Sequence, residues 1–446
     1  MLNCALPSPP NPPSPFTYNA YAKSLNYFSV TDFGALGDDN TDDTTAIQLA
    51  INAAYPCGGV VWFPPGVYRV SRTILIYWSI RLIGSGVQAT LIRSTVATQD
   101  VLQLQNQKNN FGGLVGVEIS NLTMDSAIAR TNNAFISLLD NGLSNGSIGS
   151  VYLNRLNLIT PYIGIELFGR TGNIFIEDVF ISNPLYIGIW ITPHPTFGGG
   201  NNQFIRSAVI AGATPPVNPN NPLPIGIKIE ASANINITDT AISGMYDGLN
   251  IAGGAIFSSN TFYDTCVNGI HIYTPSSNFP CLFSRFINCE TNTASNYGFL
   301  IDPFSAANSI DNLVIQGHQS IGNSTVGDTT QNSGMRIGSG TNIKIIGGEF
   351  RNYSNVLNNA PVWIDSSVKN CILIGNSFLD YGDVNHKTTL QSISLASSNT
   401  SQSLVIVNNI LRGSIINLPA TLLPQPTTPA QLNSQPYIIG PNISIT

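Results

Sequence analysis

The tetrapeptide Gly-apolar-x-apolar recurs along most of this 446-residue chain, and it constrains the fold more than any other feature. Full copies begin at Gly164, Gly188, Gly226, Gly248, Gly269, Gly298 and Gly334, and degenerate copies begin at Pro361 and Ser392. A short strand that returns every 21 to 38 residues predicts stacked coils, each of which contributes one strand to a common sheet. Parallel strands that are joined in one rotational sense favour a right-handed crossover. The repeat therefore predicts an all-β, right-handed parallel β-helix with three strands per coil.

A second repeated unit follows the tetrapeptide and supplies the other two strands of a coil. It begins with asparagine and carries a small or polar residue near its middle, as in 173–181, 234–242, 342–350 and 370–378. We interpret it as two short strands that meet at a tight polar corner, where Asp178, Asp239 and Gly347 take the same place. Asp239 is therefore expected to be structural. The six cysteines are expected to be mostly buried thiols, although a disulfide between Cys281 and Cys289 stays open.

The chain is expected to have three parts. Residues 1–26 are rich in proline and predict an extended tether or attachment segment, and residues 27–414 form the β-helix. Residues 415–446 are again rich in proline and are expected to pack on the last coils or to form a trimerisation element. Within the second part, Thr41 or Asp42 is expected to cap a helix that closes the N-terminal end, and Val60 begins the first strand. The apolar stripe of that helix is Ala46, Ile47, Ala50, Ile51 and Ala54.

Composition excludes several classes of partner. Only 9% of the residues are charged, the net charge is −6 and no run of Lys or Arg occurs, so nucleic acid is not an expected partner. No run of 18 apolar residues occurs, and we expect no membrane insertion. The N-terminus lacks the charge and apolar pattern of a signal peptide. No cofactor or metal is expected, because the cysteines lack the spacing of metal ligands.

The N-terminal region resembles the pectate-lyase-like superfamily of single-stranded right-handed β-helices. The matching stretches are 30–38, 42–47, 58–68, 82–86 and 90–93. The resemblance implies a carbohydrate ligand but no particular reaction, because the superfamily includes polygalacturonases, pectate lyases, epimerases and phage tailspike depolymerases. Tyr246–Leu249, Gly317–Gln319 and Arg336–Gly338 only partly match polygalacturonase motifs, so a polygalacturonase is not expected.

The variable residues of the repeat are predicted to form one outward face. Alternation along each strand turns the apolar pair inward and the residue between them outward. The first predicted column is Glu166, Trp190, Lys228, Asn250, His271, Leu300, Arg336, Trp363 and Ser394. The second, two residues further on, is Phe168, Thr192, Glu230, Ala252, Tyr273, Asp302, Gly338 and Asp365. Acids, bases and aromatic rings on one strand face suit the binding and stacking of sugars.

Two aspartates on this face are the preferred catalytic pair. Asp302 and Asp365 lie two coils apart, or about 9.6 Å at the usual strand spacing, with Gly338 expected to leave room for a sugar between them. Inverting glycosidases hold their carboxyl groups roughly 6.5–9.5 Å apart. Glu230 and Asp247 are further catalytic candidates of poorer fit. The predicted substrate-binding residues are Glu166, Trp190, Lys228, His271, Tyr273, Arg336 and Trp363.

The sequence therefore favours a phage tailspike-type protein that binds and cleaves a bacterial surface polysaccharide by inverting hydrolysis. The resemblance further implies a homotrimer on the virion, attached to the phage tail through its N-terminus. Two alternatives stay open: a free extracellular microbial hydrolase or lyase, and an adhesin or receptor-binding protein that holds glycan without cutting it. In a lyase, Lys228, His271 or Arg336 would be the candidate base. Asp302 before Pro303 and Asp365 before Ser366 also suit simple turns.

Overall fold

The computed structural model describes fifteen segments of the chain. They are residues 26–55, 58–105, 113–142, 147–213, 224–230, 232–275, 280–305, 309–322, 334–351, 361–379, 391–395, 404–411, 414–416, 437–439 and 443–444. The tether predicted for residues 1–26 thus lies outside the described residues, except for Asn26. The chain divides into two compact units, Met1–Ala211 and Gly212–Thr446, which we call the N-terminal and the C-terminal unit.

Each unit is a right-handed parallel β-helix, as the repeat predicts. Its strands belong to two sheets: the ladder sheet contains the Gly-apolar-x-apolar strands, and the corner sheet contains the strands on either side of the polar corners. In the C-terminal unit a typical coil has three strands, such as Asp247–Ile251, Ile256–Ser259 and Phe262–Asp264. Each of these pairs in parallel with the equivalent strand of the next coil.

The N-terminal unit contains one α-helix, one 3₁₀ helix and sixteen described strands. The helix is Thr44–Ala54 and the 3₁₀ helix is Val30–Phe33. The ladder-sheet strands are Ile74–Ile76, Leu102–Gln105, Ala134–Leu139, Ile163–Phe168 and Ile187–Thr192. The corner-sheet strands are Tyr27–Ser29, Asp38–Asp42, Val60–Phe63, Gly66–Val70, Arg81–Gly84, Thr90–Ser94, Leu114–Ser126, Ile148–Ile159, Thr171–Ser182, Gly200–Arg206 and Val209–Ala211.

The described residues of the C-terminal unit include strands, turns and irregular segments but no helix. Its ladder sheet contains Ile225–Ile229, Asp247–Ile251, Asn268–Ile272, Tyr297–Ile301, Met335–Ile337, Val362–Ile364, Gln391–Leu395 and Ser414–Ile416. Its corner sheet contains Ser232–Thr238, Ala241–Ser243, Ile256–Ser259, Phe262–Asp264, Cys281–Leu282, Arg285–Ile287, Glu290–Asn292, Ile310–Asp311, Val314–Gln316, Gln319–Ile321, Thr341–Ile346, Glu349–Arg351, Lys369–Ile374, Ser377–Leu379, Leu404–Val407, Ile410–Leu411, Tyr437–Ile439 and Ile443–Ser444. The last two strands, which lie beyond residue 414, pair in parallel with Leu404–Val407 and Ile410–Leu411.

The repeated glycine is required by close packing between neighbouring coils. A Cβ atom on Gly248 would lie 2.6 Å from the carbonyl oxygen of Gly269 and 2.7 Å from the ring of Tyr263 in the interior. Gly226 and Gly269 meet the same restriction, with the next glycine's carbonyl at 2.5 and 2.6 Å. The side chain at this position would therefore point inward, as the apolar residue after it does. The strict alternation that the sequence suggested is broken at the glycine.

The polar corners are residues in the left-handed region of backbone conformation. Asp178, Asp239 and Gly347 have φ values of 52°, 51° and 63°, and Asn173 and Asn234, which begin two of the repeated units, have φ values of 53° and 57°. Asn and Asp tolerate this conformation and Gly adopts it without strain, so these residue types recur at the corners. The structural role predicted for Asp239 agrees with this conformation.

Asp42, one of the two residues predicted to cap the helix, accepts a hydrogen bond from the backbone N–H of Thr44, the first helical residue, at 3.1 Å. The residue directly before the helix is Asp43, whose side chain accepts hydrogen bonds from the backbone N–H groups of Leu36 and Gly37 at 2.7 and 3.1 Å. All five residues of the predicted apolar stripe are buried. Val60 does not begin the first strand, because Tyr27–Ser29 and Asp38–Asp42 precede it.

Apolar residues from the ladder and corner sheets fill the interior of each unit. The predicted buried thiols are found at Cys266, Cys281, Cys289 and Cys371, all of which are free. The possible disulfide between Cys281 and Cys289 is therefore absent. Cys4 and Cys57 lie outside the described residues.

The imidazole of His318 lies in the core of the C-terminal unit and predicts acid sensitivity. It is fully buried, its ring lies 5.7 Å from that of Phe299, and burial lowers its pKa from 6.5 to about 4. The unfolded chain binds this proton below pH 6.5, whereas the folded chain resists it until about pH 4. Stability should therefore fall by about 3 kcal/mol between these pH values. Urea unfolding at several pH values should show this loss, and His318→Leu should largely remove it; an equal loss in the variant would contradict the assignment.

Candidate functional site

The outward residues of the ladder sheet in the C-terminal unit stand in one row, as predicted. Strand pairing aligns Lys228, Asn250, His271, Leu300, Arg336, Trp363 and Ser394 in successive coils. Leu300 is an exception to the expected exposure, because only 7% of its surface is accessible. We call this surface, together with Glu230, Asp247, Tyr273, Asp302 and Asp365, the ladder face.

Asp247 lies at the centre of a polar cluster on the ladder face. The residue precedes Gly248, where the alternation breaks, and its carboxylate meets the side chains of the outward row. It accepts hydrogen bonds from the side-chain amides of Asn250 and Asn268 at 2.6 and 2.7 Å, and it lies 2.9 Å from Nδ1 of His271. Only 2% of Asp247 is exposed, so this carboxylate is a buried anchor for the groups around it.

His271 bridges two carboxylates. Its Nδ1 faces Asp247, and its Nε2 lies 3.4 Å from Oδ2 of Asp302. Burial alone would lower the pKa of His271, but the charges and hydrogen bonds of Asp247 and Asp302 outweigh it and raise the pKa to about 10. At neutral pH the ring is therefore a doubly protonated cation that donates a hydrogen bond to each carboxylate.

Asp302 is held as an anion. Burial would raise its pKa, but the hydrogen bonds from His271 and from the backbone N–H of Phe304, and the positive charges of His271 and Arg336, lower it. The Phe304 N–H donates to Oδ1 at 2.7 Å, while Oδ2 faces His271. The turn before Pro303 and the contact with His271 thus fix one carboxylate, so the turn-like sequence and a functional role are compatible.

A second polar cluster surrounds Asp365. Its Oδ2 accepts hydrogen bonds from Nε and Nη2 of Arg336 at 3.2 and 2.9 Å, and its Oδ1 accepts one from the indole N–H of Trp363 at 2.5 Å. Arg336 also donates to the phenol oxygen of Tyr297 at 3.3 Å. Burial would lower the pKa of Arg336, but Tyr297 and Asp365 raise it.

Asp302 and Asp365 are two coils apart along the sheet, but the space predicted at Gly338 is filled. The coil between them is fixed by backbone hydrogen bonds from Gly338 to Ile301 and from Asp365 to Ile337. A Cβ on Gly338 would lie 2.4 Å from the nitrogen of Pro303 and 2.5 Å from the oxygen of Ile301. Gly338 therefore allows the chain at Pro303 to approach closely, and a ligand between the carboxylates would lie above this backbone.

The other predicted site residues divide between the two units. In the C-terminal unit, Lys228 forms an ion pair with Glu230 at 2.6 Å, and Tyr273 is 37% exposed with its ring 6.4 Å from that of His271. In the N-terminal unit, Glu166 and Trp190 are paired in register and half-buried. Trp190 there also contacts the ring of Tyr186 edge-on, at 6.0 Å.

Two residues of the site, Asn268 and Tyr297, were missed by sequence reasoning, and Asn250 was placed in the outward column without a role. Asn250 and Asn268 donate hydrogen bonds to Asp247, and Tyr297 accepts one from Arg336. The position of Asn268 and Tyr297 in the repeat could have identified them, since Asp247, Asn268 and Tyr297 all precede the repeated glycine and are paired in successive coils.

Among the described residues, no group of three or more His, Cys, Asp or Glu side chains could hold a metal ion. No described helix is long and apolar enough to cross a membrane.

The N-terminal part of the chain matches a known family model. Residues 27–214, less than half of the chain, match the family described as rhamnogalacturonase A/epimerase, pectate lyase-like. The match agrees with the parallel β-helix of the N-terminal unit. Mannuronan C5-epimerase AlgE3 of Azotobacter vinelandii is 35% identical over 172 residues, which are 34% of this chain but only 9% of AlgE3. The activity and substrate of that much longer protein therefore bear on this chain only as a proposal.

Solved structures share the fold over most of the chain. The A-module of mannuronan C5-epimerase AlgE6 from Azotobacter vinelandii aligns with 94% of this chain and 99% of its own, with a TM-score of 0.53 and 15% identity. The Dettilon tailspike protein aligns with 87% of this chain and 72% of its own, with a TM-score of 0.64 and 13% identity. At these identities the likeness supports the β-helix and no particular activity.

Proposed function

We propose that this protein binds a polysaccharide along the ladder face of the C-terminal unit and cleaves it by inverting hydrolysis. The observation that carries the proposal is the pair of carboxylates on one face, Asp302 and Asp365, each oriented by hydrogen bonds and about 9.6 Å apart by strand spacing. Tyr273 and Trp363 add aromatic surface beside them, which suits stacking against sugar rings.

In this proposal the two carboxylates take different roles. Asp302, whose pKa is lowered, is the general base that takes a proton from water as the water oxygen attacks the anomeric carbon. Asp365 is the general acid that protonates the departing glycosidic oxygen. Because Arg336 and Trp363 bond to Asp365 in the free protein, the acid role requires the bound sugar to displace Arg336.

The biological setting that we propose is a tailspike-type protein on a phage virion, with a bacterial surface polysaccharide as its substrate. Two points support it: the pectate-lyase-like match, and a fold shared with the Dettilon tailspike protein. A homotrimer attached through residues 1–26 is part of this proposal. Light scattering tests it directly, because a monomer of the full chain would contradict the tailspike assignment.

A glycan-binding protein without catalytic activity is the second candidate, and one observation favours it. Asp302 and Asp365 both accept hydrogen bonds from cationic side chains, and a general acid normally needs a raised pKa. A lyase fits less well, because the raised pKa of His271 keeps its ring protonated at neutral pH and Lys228 is paired with Glu230. A base must be able to accept a proton.

Product analysis on purified bacterial surface polysaccharides separates these candidates. We expect new reducing ends whose anomeric configuration, followed by NMR, is inverted relative to the substrate. Retention of configuration would contradict the assigned carboxylate roles, and an unsaturated product that absorbs in the ultraviolet would indicate a lyase. Binding without any product would establish the glycan-binding alternative.

A further inference from the structure

The charged side chains of the ladder face form ion pairs with one another. Among the described residues, each cationic side chain of this face in the C-terminal unit contacts a carboxylate. The pairs are Lys228 with Glu230 at 2.6 Å, His271 with Asp247 at 2.9 Å and with Asp302 at 3.4 Å, and Arg336 with Asp365 at 2.9 Å. Four carboxylates thus surround three cations, and the sum of the charges on the face is negative when His271 is protonated.

This arrangement is unfavourable for a polyanionic ligand. A polyuronate brings one carboxylate with every sugar, and a carboxylate that loses water on binding needs a cation or several hydrogen-bond donors in return. The cations of the ladder face already form ion pairs with carboxylates of the protein. They are also mostly buried, with the side chains of His271 and Arg336 only 16% and 15% exposed. Like charges brought together at such a surface repel the ligand.

The same face offers neutral hydrogen-bonding groups to hydroxyls. The half-buried side chains of Asn250 and Tyr297 and the exposed phenol of Tyr273 lie among the charged pairs, and the ring of Trp363 adds a surface for stacking. Carboxylates such as Asp302 and Asp365 are strong acceptors for sugar hydroxyls. A chain rich in hydroxyls and free of charge can therefore bond to this surface without breaking the ion pairs that do not take part in cleavage.

We infer that the ligand of the ladder face is an uncharged glycan, one without uronate, sulfate or phosphate groups. The inference rests on the proposed function only in requiring that this face binds glycan; it does not depend on whether the glycan is cut. The inferred ligand differs from mannuronan, the polyuronate after which the C5-epimerase relatives are named.

Binding measurements on the full chain test this inference. Hexasaccharides of neutral glucans, mannans and xylans are compared with hexamers of galacturonate and mannuronate by calorimetry at low salt. At least one neutral probe should bind at least about tenfold more tightly than either polyuronate, a difference of about 1.4 kcal/mol. Equal or tighter binding of a polyuronate would overturn the inference and leave the proposed cleavage untouched. Binding of a neutral glycan without cleavage would support the inference and contradict the proposed hydrolysis. Binding of none of the probes would count against the inference and against the proposed function.

A substitution makes the same test independent of the neutral ligand's identity. Glu230→Gln removes the carboxylate that pairs with Lys228, and it should strengthen binding of oligogalacturonate about fivefold. Glu177→Gln is the matched control, because it changes the net charge equally but releases Arg206 on the corner sheet of the N-terminal unit. Equal gains in affinity for oligogalacturonate in both variants, or no gain in Glu230→Gln, would overturn the role given to the ion pairs of the ladder face.

Discussion

Replacing Asp302 with Asn should reduce polysaccharide cleavage about a thousandfold and change binding little. The variant keeps the shape of the side chain, and its amide oxygen can still accept one of the two hydrogen bonds that Asp302 receives, the one from the Phe304 N–H or the one from His271. It loses the anion that removes a proton from water, and a positioned general base contributes about 10²–10⁴-fold to such a reaction. Reducing-end assays and calorimetry with the same polysaccharide measure the two quantities separately.

Two further variants make this result specific. Asp365→Asn should cause a loss of similar size, since it removes the proposed acid. Asp239→Asn is the matched control, because Asp239 is an exposed corner residue with a φ of 51°, a conformation that asparagine also tolerates. The control should keep full activity. Retention of more than about a tenth of the activity in Asp302→Asn would be incompatible with its role as base.

The fold and the register of the site could be predicted from the sequence because they depend on local repetition. One Gly-apolar-x-apolar strand in each coil aligns residues such as His271 and Arg336 in a single row, and the structure shows this alignment. The Asn and Gly residues of the corners are likewise local signals, since they mark backbone conformations with positive φ.

The parts that failed depend on contacts between coils. Alternation of side chains predicts an open place at Gly338, whereas the chain at Pro303 fills it. The same reasoning places Asp247 at the far end of its strand, away from the outward row. In the structure Gly248 breaks the alternation, and the carboxylate of Asp247 contacts His271. The charge state of His271 was equally hidden, because it depends on two carboxylates from other coils rather than on its own neighbours in sequence.

Replacing Asp247 with Asn should destabilise the C-terminal unit by about 3 kcal/mol, because it leaves the buried His271 cation without its main counter-charge. The urea midpoint should fall with an unchanged slope. Asp311→Asn is the matched control, since Asp311 accepts hydrogen bonds from Asn312 and Asn342 at 2.7 and 2.8 Å on the corner sheet; it should cost about 1 kcal/mol.

The dependence of stability on pH distinguishes the lost ion pair from a mere loss of packing. The pKa of His271 is raised from 6.5 to about 10 in the folded chain, so its stabilising effect is complete below pH 6.5 and disappears as the pH rises to 10. In Asp247→Asn the pKa of His271 should fall, and the loss of stability across this range should shrink. Adding His271→Gln to Asp247→Asn should recover at least about 1 kcal/mol relative to the sum of the single changes. Additive effects of the two substitutions, with an unaltered pH dependence, would mean that Asp247 stabilises the fold without acting through His271.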